Sequence, residues 1–183
     1  MKKCLPILYI LPVAALAACT TTTPPLSTVD QVELERFMGD WYVIANIPTF
    51  LERDAHNAVE SYELIGDRRV ATTFRFNKGA FDGPLKVYTP TGFVSDDPSN
   101  AVWGMQFIWP IKADFRVIYL DRDYTQTVIG RNKRDYVWIM ARTAEIPEAD
   151  FAHIVQLIAE QGYDVGKIRR VPQQQLTTGG DKP

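Results

Sequence analysis

Apolar and polar residues alternate along most of this chain, in runs of about eight residues separated by turn-forming residues such as Gly, Asn, Asp and Pro. Such alternation is typical of β-strands that bury one face. The pattern predicts eight strands, over 40–47, 57–65, 69–77, 85–95, 100–109, 114–121, 124–131 and 135–143. Because the connections are short, neighbouring strands are expected to be antiparallel. We therefore predict an all-β meander that either closes into a barrel or folds into a sandwich.

One amphipathic helix is predicted after the strands, over 147–161. Its apolar stripe, with the spacing i, i+3, i+4 and i+7, consists of Phe151, Ile154, Val155 and Ile158. We expect this stripe to pack on the outer wall of the sheet. Two shorter elements are predicted at the ends of the body, a helical turn over 30–38 and a last strand over 165–171.

Large apolar side chains recur on alternate positions of several predicted strands. In strand 114–121, for example, the alternation places Phe115, Val117 and Tyr119 on one face. A small barrel is either filled by its own side chains or holds one ligand. Aromatic rings and flexible Met side chains suit the wall of an apolar pocket. The candidate wall residues are Phe74, Phe76, Trp103, Met105, Phe107, Phe115, Val117, Tyr119, Tyr136, Trp138 and Met140.

The N-terminus is predicted to be a leader rather than part of the barrel. Lys2 and Lys3 precede an apolar stretch that is shorter than the ~20 residues needed to span a bilayer, as in a secretory signal peptide. The sequence Leu16-Ala17-Ala18-Cys19 resembles the bacterial lipoprotein signal. That resemblance implies cleavage before Cys19, acylation of Cys19 and, with Thr at position 20, sorting to the outer membrane. A permanent N-terminal membrane anchor is the alternative.

Composition narrows the function classes. The chain is 46% hydrophobic and 11% aromatic, with a formal net charge of −2, which excludes a disordered chain and nucleic-acid binding through excess positive charge. Without residues 1–18 the chain has 18 basic against 22 acidic residues, a charge of −4, so membrane attachment must come from Cys19. Cys4 and Cys19 cannot staple the body. The predicted segments are a signal peptide over 1–18, an acylated tether over 19–29, a folded domain over 30–172 and a disordered tail over 173–183.

Three short motifs lie on or beside the predicted strands. They are Gly39-Asp40-Trp41-Tyr42 at the start of the first strand, Asp123-Tyr124 between the sixth and seventh, and Arg142 at the end of the eighth. In this order, and followed by a helix, they resemble the three motifs of the lipocalin family, although the Thr often found before the second motif is Arg122 here. The sequences of these motifs are most similar to those of the bacterial outer-membrane lipocalins. The resemblance covers about 30–171.

The resemblance implies an eight-stranded antiparallel up-and-down β-barrel with one C-terminal α-helix packed outside. The motif residues then have structural roles at the closed end of the barrel. Gly39 would allow a tight backbone turn, Trp41 would plug the end, and Arg142 would lie across the Trp41 ring while donating to backbone carbonyls. Asp123 and Tyr124 match the Asp-Tyr pair that the family has between the sixth and seventh strands.

Catalytic and metal-binding patterns are weak in this sequence. His56, in the predicted loop after the first strand, and His153, on the predicted helix, do not form a metal constellation. No Ser lies in a nucleophile elbow, and no Gly-rich loop is suited to phosphate. Lipocalins with isomerase activity use a barrel cysteine, which this body lacks. We therefore expect a binding protein with no cofactor and no metal, rather than an enzyme.

The expected function is the binding, storage or transport of fatty acids, lysophospholipids or phospholipids for outer-membrane maintenance. Their headgroups would lie at the mouth of the barrel, where Arg53, Lys78 and Lys112 are candidate partners. The protein would be anchored to the outer membrane through Cys19, with the barrel facing the periplasm. The alternative is an envelope lipoprotein with a filled barrel that binds another protein or a second copy of itself. A homodimer is therefore a possible assembly. An enzyme that turns over a bound lipid is the third interpretation.

Overall fold

A computed structural model describes residues 24–174 and shows one continuous antiparallel sheet. In chain order its elements are α1 (Leu34–Phe37), β1 (Gly39–Ile47), β2 (Ala55–Leu64), β3 (Arg69–Lys78), β4 (Leu85–Tyr88), β5 (Thr91–Val94), β6 (Val102–Ile108), β7 (Ile111–Leu120), β8 (Gln126–Gly130), β9 (Val137–Ala141), α2 (Glu148–Glu160), a 3₁₀ turn (Val165–Lys167) and β10 (Arg169–Arg170). Because β1 pairs with both β2 and β9, eight strands close into a barrel, and β4 and β10 are additional. The predicted barrel is confirmed. The predicted signal peptide, the acylation of Cys19 and residues 175–183 lie outside the described residues.

The two ends of the barrel differ. The open end is formed by the loops 48–54 and 79–84, the tip of the β6–β7 hairpin at 109–110, and the loop 131–136. The closed end carries α1 and the connections 65–68, 95–101 and 121–125. We use these two names below.

The strand predicted over 85–95 is divided in two. Pro90 lies between β4 and β5 and has no backbone N–H to give to a ladder. Strand β4 pairs with β3 alone, near the open end, whereas β5 pairs with both β3 and β6. As a result, no ladder joins β4 to β6 among the described residues, and the barrel wall is parted there.

Helix α2 covers the outside of the barrel as predicted, although it is one residue shorter at each end. Pro147 is its N-cap, and Gly162, with φ of +88°, follows the C-cap and ends the helix. Ile154 and Ile158 are fully buried against the sheet, which confirms the apolar stripe. Among the described residues, no helix is long and apolar enough to cross a membrane.

The shorter elements differ more from their predictions. The helical turn expected over 30–38 is only the single turn α1. The last strand, expected over 165–171, is a 3₁₀ turn followed by the two residues of β10, which pair with Ala45 and Asn46 of β1. His56, expected in a loop, is the second residue of β2. These short segments carry too few residues for their periodicity to be distinctive.

The barrel wall separates two apolar clusters. The interior cluster is built from inward-facing residues of the strands together with α1, and includes Phe37, Trp41 and Trp103. The outer cluster lies between the wall and α2 and includes Ile139 and Ile158. Strands that are apolar on both faces supply both clusters, since their side chains alternate between the interior and α2.

A β-bulge changes which face Tyr119 occupies. The register of β7 against β8 shifts between Val117 and Tyr119. Val117 is therefore inside, while Ile118 and Tyr119 both belong to the outer cluster, where Tyr119 meets His153 edge-on. The prediction that Tyr119 shares a face with Phe115 and Val117 is wrong, because the extra residue breaks the period of two.

The N-terminal segment runs along the outside of the barrel from the open end to the closed end. Near the open end, the backbone N–H of Leu26 donates to the Asn132 side chain at 2.9 Å. Further along, the N–H of Val29 donates to the carbonyl of Val117 at 3.0 Å. Residues 26–29 of the predicted tether are therefore packed on the wall. At the other terminus, Gln173 of the predicted tail also bonds to the barrel.

Candidate ligand-binding cavity

A cavity of about 250 Å³ occupies the open half of the barrel. Its lining residues are Thr49, Phe50, Leu51, Glu52, Glu60, Phe74, Tyr88, Met105, Phe107, Ala113, Asp114, Phe115, Arg131, Tyr136 and Trp138. The volume is slightly below the ~300–1,000 Å³ that ligand pockets usually have. Most of the wall is apolar, and most of its polar groups are ionisable. The site therefore suits a slender apolar molecule with one polar end.

Six of the eleven predicted wall residues line this cavity: Phe74, Met105, Phe107, Phe115, Tyr136 and Trp138. Four others, Phe76, Trp103, Val117 and Met140, lie in the packed interior cluster and do not border the cavity. Tyr119 is on the outside. Phe107 is 53% exposed, since it sits at the rim where β6 ends. The alternation identifies residues that face the interior. It does not show which of them lie in the packed half of the barrel and which line the cavity.

The floor of the cavity is a stack of aromatic rings. Trp103 lies face to face with Phe115, with ring centroids 5.0 Å apart, and Phe37 meets the edge of Trp103 at 5.6 Å. The indole N–H of Trp103 donates to the carbonyl of Asn100 at 2.7 Å, which fixes the ring. Below this stack Trp41 is fully buried. The closed half of the barrel is therefore filled, and only the open half can hold a ligand.

Sequence reasoning missed several wall residues. Tyr88 lies in the short β4, where the apolar Leu85 and Val87 are the exposed positions, so the apolar pattern there points away from the cavity. Ala113 is small and gives little pattern signal, although it faces the cavity from β7 opposite Met105. Phe50 and Leu51 lie in the loop between β1 and β2. Loop residues carry no periodicity, so no pattern could assign them to the mouth.

Glu52 is buried beside the cavity and is held by three donors. The Thr49 hydroxyl donates to one carboxylate oxygen at 2.7 Å. The other accepts from the Asn46 amide at 3.0 Å and from the Trp138 indole at 2.8 Å. Burial raises the pKa of Glu52, and the three hydrogen bonds oppose that rise. Glu52 therefore ties the loop of Thr49 to Trp138 and fixes one side of the mouth.

Glu60 is an ionisable group on the cavity wall, far from bulk water. It accepts a hydrogen bond from the Tyr62 hydroxyl, which stays protonated because burial raises the pKa of Tyr62. Burial also raises the pKa of Glu60 to about 7, against the bond from Tyr62 and with a smaller contribution from the charge of Glu52. The folded protein therefore keeps Glu60 protonated to a higher pH than an exposed glutamate.

Arg131 is the cation that borders the cavity. It follows β8, so its side chain points inward next to Ile129, and its guanidinium pairs with Asp135 at 3.4 Å. The group lies 5.3 Å from the centre of the Tyr136 ring. Its Nε is buried and has no hydrogen-bond partner among the described residues. Because the guanidinium borders the cavity, its positive charge can attract an anionic group at the mouth.

The three cations predicted at the mouth do not line the cavity. Lys112 projects outward, with its ammonium 3.8 Å from the centre of the Phe93 ring. Arg53 borders a separate groove beside β10, and Lys78 ends β3. A position near the mouth does not by itself give the direction of a side chain. Arg131, which is not among the predicted cations, precedes the turn at Asn132 and occupies an inward position.

The closed end is held by Arg142. Its guanidinium carbon lies 3.8 Å above the Trp41 ring. Its nitrogens donate to four backbone carbonyls, those of Arg36, Phe37, Asp40 and Tyr124, at 2.8–3.3 Å. Gly39 has φ of +93°, and an added Cβ would stand 3.4 Å from Arg142. This arrangement matches the structural roles expected for the motif residues.

The second motif, Asp123-Tyr124, lies in the turn between β7 and β8 at the closed end. Tyr124 adopts φ of +59°, and its hydroxyl accepts from the N–H of Glu33 at 2.9 Å. The turn itself is fastened by Asp121 rather than by Asp123. The carboxylate of Asp121 accepts from the N–H groups of Thr125 and Gln126, both at 2.7 Å. Asp123 is exposed.

Comparison with known proteins gives one consistent result. A family model described as a lipocalin-like domain matches residues 32–173. Temperature-induced lipocalin-1 of Arabidopsis thaliana is 30% identical over 162 residues, which cover 84% of this chain and 86% of that protein. Outer membrane lipoprotein Blc of Citrobacter freundii is 29% identical over 176 residues, covering 90% and 97%. The same-named protein of Escherichia coli K12 is 28% identical, covering 85% and 89%.

Solved structures share the fold at lower identity. Insecticyanin from the tobacco hornworm Manduca sexta superposes with a TM-score of 0.67 at 13% identity, over 84% of this chain and 87% of that one. The siderocalin Ex-FABP, described as functioning through dual ligand specificities, gives a TM-score of 0.58 at 18% identity, over 77% and 97%. At such identities the likeness concerns the barrel alone.

Proposed function

The chain belongs to the lipocalin family, and from that premise we propose that it binds a lipid whose acyl chain enters the cavity at the open end. The observation that carries the proposal is the apolar cavity of about 250 Å³, bounded below by the ring stack and open at the mouth. Each methylene buried there contributes ~0.8 kcal/mol. Ordering of the chain offsets part of that gain.

The charges of the cavity favour one orientation of the ligand. Glu60 and Glu52 lie on its wall, so an anionic group placed deep would be repelled by carboxylates. Arg131 borders the cavity near the mouth and brings a positive charge there. A phosphate or carboxylate headgroup would therefore stay at the mouth near Arg131, with the chain inward. Fatty acids and lysophospholipids fit this description.

The cavity also bears on the filled-barrel alternative. A barrel packed solid by its own aromatic rings would favour an interaction protein. Packing is complete only in the closed half, around Trp41 and Trp103, and the open half retains the cavity. This favours ligand binding.

Ala113→Phe is expected to weaken lipid binding at least about tenfold, because the new ring occupies the space of the acyl chain and removes more than about 1.4 kcal/mol of contact. Trp138 lines the cavity, so the measurement is its fluorescence during titration with lysophosphatidylcholine. Ala71→Phe is the matched control. Its side chain lies on the outer face of β3, since Val70 and Thr72 face inward.

Two results would contradict the lipid proposal. One is the absence of any saturable change in the wild-type protein with acyl ligands. The other is equal affinity of Ala113→Phe and Ala71→Phe. Recovery of a cleaved or altered lipid after incubation would instead support the enzymatic interpretation.

We further propose that the protein is an outer-membrane lipoprotein acylated at Cys19, with the barrel in the periplasm, where it stores or carries lipids for membrane maintenance. Support comes from the sequence Leu16-Ala17-Ala18-Cys19 and from the bacterial relatives, which are named outer membrane lipoproteins. Two or more acyl chains on one residue suffice for stable attachment.

Cys19→Ser is expected to abolish incorporation of labelled palmitate by cells that express the full chain, because the thiol that takes the diacylglycerol is gone. Cys4→Ser is the matched control, since Cys4 lies in the segment predicted to be removed. Equal labelling of the Cys19→Ser variant and the wild type would rule out acylation at this position.

A further inference from the structure

Exposed apolar side chains are concentrated at the open end. Of the ten large apolar side chains that are most exposed among residues 24–174, only Ile65 belongs to the closed end. Five of them form what we call the rim patch: Phe50 (74% exposed), Phe107 (53%), Ile108 (74%), Trp109 (82%) and Ile111 (69%). A concentration of exposed apolar side chains of this kind marks a site that contacts another molecule or a membrane.

We propose that the rim patch docks on the surface of a lipid bilayer, so that the mouth of the barrel faces the membrane. The proposal rests on the acylation of Cys19 and on the lipid binding proposed above. Trp109, at the tip of the β6–β7 hairpin, is the residue type that favours the interface between headgroups and acyl chains. Phe107, Ile108 and Ile111 flank it on the same hairpin.

The path of the N-terminal segment places the predicted anchor on the same side. Leu26 is bonded to Asn132 in an open-end loop, and the N–H of Asn132 donates to Asp114 at 2.7 Å. Asp114 is three residues from Ile111 of the rim patch. Between Cys19 and the first described residue, Pro24, the chain can span at most about 18 Å. An acylated Cys19 would therefore keep the open end close to the bilayer.

Charge has a secondary part in this contact. Arg53 shares the loop 48–54 with Phe50, whereas the ammonium of Lys112 lies over the Phe93 ring of β5. Asp54 and Asp82 lie at the same end, so the local charges largely offset one another. The attraction must therefore come mainly from the apolar side chains.

The gap in the barrel wall between β4 and β6 lies beside the rim patch and offers a path from the membrane to the cavity. No ladder joins β4 to β6 among the described strands, and Phe107 belongs both to the rim patch and to the cavity wall. A docked rim would place the bilayer next to this gap. An acyl chain could then pass from membrane to cavity along apolar side chains without crossing water.

The test uses nitroxide labels on the full chain, purified from membranes and reconstituted into phosphatidylcholine–phosphatidylethanolamine vesicles. Ile111→Cys places the label in the rim patch, and Ile65→Cys is the matched control at the closed end. The label at 111 is expected to collide readily with oxygen and to lose access to a nickel chelate, whereas the label at 65 keeps that access. Adding Ile108→Asp and Trp109→Asp should restore chelate access at 111.

Equal chelate access at both positions, with Cys19 acylated and lysophosphatidylcholine still bound, would overturn the docking proposal alone. Dipolar broadening between labels at 111 would overturn it too, since it would show that a second copy covers the patch. Nitroxide labelling of the unmutated chain would reveal a free Cys19, which marks failure of the proposed anchor. Loss of lysophosphatidylcholine binding marks failure of the proposed function.

Discussion

Replacing Arg142 with Ala is expected to destabilise the folded barrel by about 2–4 kcal/mol, because a half-buried guanidinium that makes several charged hydrogen bonds is lost. The guanidinium donates to four backbone carbonyls from three separate parts of the closed end and lies on the Trp41 ring. Alanine would leave those carbonyls without their donor and uncover the ring. Urea unfolding followed by tryptophan fluorescence measures the effect.

Arg75→Ala is the matched control for this experiment. Arg75 pairs with Asp40 at 3.2 Å at the same end, but both side chains are more than a third exposed, so its loss should cost less than about 1 kcal/mol. Lipid affinity should be unchanged in both variants under conditions where they are folded. If Arg142→Ala unfolds at the same urea concentration as the wild type, the closed-end role of Arg142 is wrong.

Replacing Glu60 with Gln is expected to stabilise the protein at pH 8 by up to about 3 kcal/mol. The pKa of Glu60 rises from its ordinary value of 4.5 to about 7 on folding, so the folded state holds a proton that the unfolded state releases in this window. Wild-type stability should therefore fall as pH rises from about 4.5 to 7 and then level off. The amide cannot ionise, and it can still accept the bond from Tyr62.

Thermal melting of both proteins between pH 5 and pH 8 checks this expectation. The two should be similar at pH 5 and diverge as pH rises. Part of the slope should survive in Glu60→Gln, because burial also raises the pKa of Glu52. Asp40 acts in the opposite direction at lower pH, since the Ser61 hydroxyl and Arg75 lower its pKa. Parallel curves for the two proteins across this range would show that Glu60 does not change its proton affinity on folding.

The features predictable from sequence are those encoded locally. The period-two alternation gives the strands, because most inward positions are apolar over many residues, and the short connections indicate which strands are neighbours. The helical spacing of Ile154 and Ile158 does the same for α2. Trp41 and Arg142 are far apart in the chain, so no local pattern predicts that they touch. Their contact could be predicted only from the family resemblance.

The features missed depend on register and depth. A single bulged residue turned Tyr119 outward, and Pro90 divided a strand whose alternation otherwise continued. Glu60 and Arg131 face inward, but a polar residue in an alternating pattern is expected to face outward. Only the closed barrel brings the two side chains to one cavity. Such positions follow from the pairing of neighbouring strands, which no single strand encodes.

Native mass spectrometry of the protein extracted from membranes tests the central claim most directly, because it counts the lipids held by each barrel. The account predicts one single-chain lipid in the cavity of the wild type and of Ala71→Phe, in addition to the acyl chains on Cys19, and a much smaller lipid-bearing fraction for Ala113→Phe. A wild-type barrel that carries no such lipid, and takes up none when given lysophosphatidylcholine, would contradict it.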